Sequence, residues 1–105
     1  MPEEQRQWRF LGNRYKDFEN LRLAGSFFRD QQGVFGWRLD WFDIQQSRTL
    51  NEQYWFDKGQ FFEVVWLDND GHWKPGKKLT PNGVCKETCM REAMIVWENE
   101  ERDYL

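Results

Sequence analysis

"LRLAGSFFRDQQGVFGWRLDWFDI", residues 21 to 44, is the stretch on which the fold turns. In its second half Phe35, Trp37, Leu39 and Trp41 alternate with Gly36, Arg38, Asp40 and Phe42. Successive strand side chains point to opposite sides, so this period of two marks a half-buried strand. The first half, "LRLAGSFFRD", also carries strand signals, and "QQG" (31–33) separates the two. Two antiparallel strands in succession are the expectation.

Towards the C-terminus, "QYWF" (53–56) and "FFEVVWLD" (61–68) flank "DKGQ" (57–60), which reads as a hairpin. Within 61–67, Phe62, Val64 and Trp66 share one face, while Phe61, Val65 and Leu67 share the other with Glu63. A strand apolar on both sides is expected to be central and covered twice, or to offer one face to a ligand or partner. "NDG" (69–71) and "TPNG" (80–83) supply further turns. Beyond them the pattern is open. Cys85, Cys89, Ala93 and Trp97 fit one helix face, whereas "AMIVW" (93–97) also fits a buried strand.

Towards the N-terminus, Leu11, Tyr15 and Phe18 have near-helical spacing interrupted by Gly12-Asn13, which predicts one short helix around 13–20. The fold expected is mainly β, with α+β as the variant. It is an antiparallel meander forming a curved sheet or small barrel, with one or two short helices. Residues 1–105 form one domain, led by a flexible segment over residues 1–7.

Aromatic residues make up 18% of the chain, including 7 Trp and 9 Phe, enough to fill a core with few side chains. The longest apolar run, "AMIVW", is too short to span a bilayer, and "MPEEQRQ" lacks the apolar stretch of a signal peptide. Two cysteines do not make a secreted disulfide framework. A cytoplasmic protein without membrane contact is expected. Net charge is −3, unevenly spread. Residues 5–16 and 71–86 each hold four basic residues and no acid, whereas the last eight residues hold four acids. Opposed patches of this kind steer charged partners.

The stretch "WLDNDGHW" (66–73) invites a metal reading. A calcium loop that aligns Asp68, Asp70 and Gly71 puts Trp66 and Lys77 where oxygen ligands are required, so it fails. His72, Cys85 and Cys89 match no usual zinc spacing. No metal, no cofactor and no catalytic residue is assigned. The carboxylates among the aromatic strands, Asp40, Asp43, Asp57 and Glu63, could carry raised pKa values.

Three functions are weighed. The first is a non-catalytic binding, adaptor or inhibitor domain that meets another protein through an aromatic and acidic surface. The second binds single-stranded nucleic acid or carbohydrate on an aromatic platform flanked by lysines. The third is a small enzyme with an aromatic-lined pocket. The binding residues expected are Trp55, Phe61 and Trp73 as exposed rings, with Lys74, Lys77 and Lys78 beside them.

Overall fold

The computed structural model describes residues 6–64, 76–79 and 84–103. Five strands form one antiparallel sheet in chain order: β1 (Trp8–Phe18), β2 (Leu21–Asp30), β3 (Phe35–Asp43), β4 (Arg48–Asp57) and β5 (Gln60–Glu63). Among the described residues a single helix, α1 (Val84–Asp103), packs on one face. The meander is therefore confirmed, and the sheet is open rather than closed into a barrel.

The alternation of β3 places Trp37, Leu39 and Trp41 on the helix face, paired in register with Phe27, Gly25 and Leu23 of β2. Tyr54 of β4 and Phe61 of β5 extend this face. The β4–β5 hairpin is as read: Asp57 pairs with Gln60 around a two-residue loop, Lys58-Gly59. Both loop residues have positive φ (52° and 78°), the geometry whose twist matches the flanking strands.

The open question over 84–98 resolves as helix. Met90, Ala93, Met94 and Trp97 are buried, a spacing of three and four, while Ile95 is 61% exposed. A buried strand would hide Ile95 as well. The helix is 20 residues long, not a short one. It seats Trp97 on Gly25, where a Cβ would lie 2.7 Å from the indole ring. Trp37 lies between Phe27, stacked at 4.4 Å, and Trp97 at 5.2 Å. Its indole N–H donates to Glu98 of the helix at 3.1 Å.

Two expectations are corrected here. The short helix around 13–20 does not form, since residues 13–18 belong to β1 and 19–20 to the turn into β2. Pairing with β2 overrides the local spacing, and Gly12 follows a bulge at Leu11 rather than a helix break. The central position expected of 61–67 is corrected for its described residues: β5 is the last of the named strands, with residues 77–79 hydrogen-bonded along its outer side. The burial of both its faces is nevertheless real. Phe61 lies beneath the helix, and Phe62 packs into a second aromatic cluster on the opposite face.

That second cluster joins Trp8, Trp55, Phe28 and Phe62, with Trp8 and Trp55 edge-to-face at 5.0 Å. Gly36 beneath it has no Cβ, and one would lie 2.7 Å from Trp55. Arg6 lies over the Trp8 ring at 4.1 Å. Its guanidinium donates to Asp30 at 3.0 Å and to Asp57 at 2.6 Å, all three side chains being buried. Arg6 and Gln7, expected in a flexible lead, are thus held. Gln7 donates its backbone N–H to Gln31 at 2.9 Å.

Candidate functional site

The expected binding set does not converge. Trp55 is 4% exposed and Phe61 2%, so neither ring is a stacking platform. They also point to opposite faces, Trp55 into the Trp8 cluster and Phe61 under α1. The expectation of exposure fails because the sheet is covered on both sides at this end. Lys77 and Lys78 are exposed on a segment that pairs with β5, where Glu63 donates its N–H to Lys77 at 2.6 Å and Leu79 donates to Phe61 at 2.9 Å. Trp73 and Lys74 lie outside the described residues, as do Asp68, Asp70 and His72 of the metal reading.

The basic windows are partly structural. Arg6 is buried between two carboxylates, Arg14 pairs with Glu101 at 2.7 Å, and Lys86 pairs with Glu52. Arg22 pairs with Asp17, Arg38 with Asp40 and Arg91 with Glu87. Apart from Arg48, which donates to Gln46, Arg9 and Arg29 break this pattern. They stand directly opposite one another on β1 and β2, both exposed, and neither pairs with a carboxylate among the described residues. Like charges in that position are unfavourable. They line a cleft of about 650 Å³ between the start of β1 and the β2–β3 turn, together with Gln7, Gln31 and Gln32.

Beside this cleft runs the outer edge of β1, which pairs with no described strand. Phe10 is 53% exposed, Tyr15 63%, and Leu11 at the bulge is exposed too. Sequence held one sign of this site. The series Leu21, Leu23, Gly25, Phe27 on the core face of β2 continues into a charged residue, Arg29. Its partner Arg9 carries no such sign, because only pairing with β2 makes β1 a strand.

On the face away from the helix, Asp40 lies between Ala24 and Gln53, with Arg38 at 3.6 Å. Burial pushes the Asp40 carboxyl above its ordinary value of 3.8, against the opposing pull of Arg38 and Gln53. This matches the expectation of a raised carboxylate for Asp40. Its cross-strand neighbours, however, supply no second acid or base. Asp57 is held instead by Arg6, and Asp43 accepts a turn N–H from Gln46 at 3.0 Å.

A stability prediction follows from Asp40. With its pKa raised in the fold, the ionised form costs stability at pH values above that pKa and none well below it. Asp40→Asn is expected to raise the melting temperature at neutral pH by a few degrees. The gain should vanish on acidification below 3.8. Paired thermal melts across that range check it, and a variant destabilised at neutral pH contradicts it.

No helix among the described residues is long and apolar enough to cross a membrane. Comparison of the chain with known protein families, with characterised proteins and with solved structures finds no match.

Proposed function

We propose that this chain is a non-catalytic binding domain whose partner is another protein, received as an extended segment along β1. The observation that carries the reading is the outer edge of β1: 11 residues, unpaired among the described strands, with Phe10, Leu11 and Tyr15 exposed. At strand rise this edge is about 36 Å long. Such edges are ordinarily short or covered, because their outward N–H and C=O groups template pairing. An added strand satisfies those groups and lays alternate side chains beside the exposed rings. The aromatic component expected of the surface is thus Phe10 and Tyr15 rather than Trp55 and Phe61. A cytoplasmic setting belongs to the same proposal, on the sequence grounds given above.

The test uses the intact chain as bait in nuclease-treated extract, with a Phe10→Ser/Tyr15→Ser variant beside it. A partner retained by the wild type and lost from an equally stable variant is expected. Amide exchange in the purified complex should slow along 8–18. Protection confined to the exposed side of α1 overturns the assignment to β1.

A further inference from the structure

We infer that the cleft between Arg9 and Arg29 is a carboxylate-binding subsite, and that the segment received by β1 is acidic. This rests on the strand-addition reading above. Each of Arg6, Arg14, Arg22, Arg38 and Arg91 has a carboxylate within the chain. Arg9 and Arg29 face each other across the first two strands and leave their like charges uncompensated by any described acid. A guanidinium presents a planar fork of donors that matches a carboxylate in two parallel hydrogen bonds. Both arginines line one cleft of about 650 Å³, which gives an acidic side chain room to enter and meet them, and Arg29 also lies 5.9 Å from the Phe35 ring. Gln7, Gln31 and Gln32 around the cleft carry polar amide side chains, and the one acid of the lining, Asp30, is already engaged by Arg6 and by the N–H groups of Gln32 and Val34.

The bulge at Leu11 adds to this. It shifts the register between Phe10 and Gly12, so that Arg9 falls on the same face as Arg14 and Lys16. Arg14 is engaged by Glu101, which leaves Arg9 and Lys16 as cations near the two ends of the edge. The strand itself holds three basic residues and one acid. Such charges discourage β1 from pairing with β1 of a second copy and favour a segment of opposite sign. A phosphate backbone asks for a broadly basic surface, whereas this chain is net −3 and its other described arginines are mostly neutralised locally.

The experiment uses the full chain and three blocked peptides in which Val alternates with Glu, Gln or Lys, with oligo-dT as a further probe. Binding is read by fluorescence anisotropy at low and moderate salt. The Val–Glu peptide is expected to bind, and the Val–Lys peptide to bind least. Arg9→Gln and Arg29→Gln should each weaken Val–Glu binding about tenfold or more, since each removes a charged hydrogen-bond donor from one carboxylate. The double variant should lose little beyond either single one. Without ligand, Arg29→Gln should melt at the wild-type temperature or above it, because a repulsion is removed. Equal binding of Val–Glu and Val–Gln peptides, unaffected by Arg29→Gln, overturns the subsite and leaves strand addition standing. Failure of every peptide overturns both. Oligo-dT binding that depends on Arg9 and Arg29 and exceeds that of Val–Glu replaces the acidic peptide with nucleic acid. A lowered melting temperature for unliganded Arg29→Gln contradicts the repulsion on which the inference stands.

Discussion

Arg6→Ala is expected to destabilise the protein by about 3–5 kcal/mol, because it strands the buried carboxylates of Asp30 and Asp57 without their shared cation. A domain of this size has roughly 5–15 kcal/mol in total, so the variant should sit near its unfolding threshold at ambient temperature. The guanidinium bridges two strands that are not neighbours, β2 and β4, at the end where their hairpins turn. Arg6→Lys should recover part of the loss at most, since an ammonium cannot fork between two acids in fixed geometry. Acid narrows the gap. Burial pushes the Asp30 carboxyl upward, but N–H donors of Val34 and Gln32 with the Arg6 guanidinium outweigh it and hold the pKa below 3.8. A lowered folded pKa contributes stability above the unfolded value and loses it as pH falls through the folded one. Urea titrations at neutral pH and below 3.8 should therefore show wild type and Arg6→Ala converging in acid. A variant as stable as wild type at neutral pH would show that the buried triad contributes nothing net.

Trp97→Ala is expected to cost a similar amount, about 3–5 kcal/mol, and to loosen the helix from the sheet. The indole fills the space left by the absent side chain of Gly25 and lies against Trp37. Removing it leaves a void that no neighbouring Cβ closes. The same contact makes a second substitution change sign. Gly25→Ala alone forces a Cβ to 2.7 Å from the indole and should destabilise by about 1–3 kcal/mol through overpacking. In the Trp97→Ala background the added methyl enters the void and should be neutral or stabilising. A double-mutant cycle by denaturant unfolding measures the coupling. Additive losses would show that the helix crosses the sheet elsewhere.

The legible parts of the sequence were those where one face is dry and the other wet. Phe35 to Trp41 announced a strand because Leu39 is buried beneath α1 while Asp40 is on the other face. Asp57-Lys58-Gly59-Gln60 announced its hairpin through turn chemistry that is local. β1 stayed hidden for the opposite reason. On its helix side it presents Gly12, Arg14 and Lys16, so no apolar alternation marks it, and only pairing with β2 makes it a strand. Composition could not separate buried from exposed rings either. Trp55 is hidden by Trp8, 47 positions earlier, a contact that only the folded register creates. The Arg9–Arg29 pair was illegible for the same reason, since two residues so distant in the chain meet only once both strands are placed.

The two margins of the sheet differ, and this limits how many molecules can join it. β5 has 4 residues against the 11 of β1, and residues 77–79 already occupy its outer side. A strand added at β1 therefore finds no equivalent acceptor on the far margin of the same molecule. If β1 receives a strand as proposed, assembly through this sheet is expected to stop at one guest per host, a 1:1 stoichiometry, instead of propagating into a fibre.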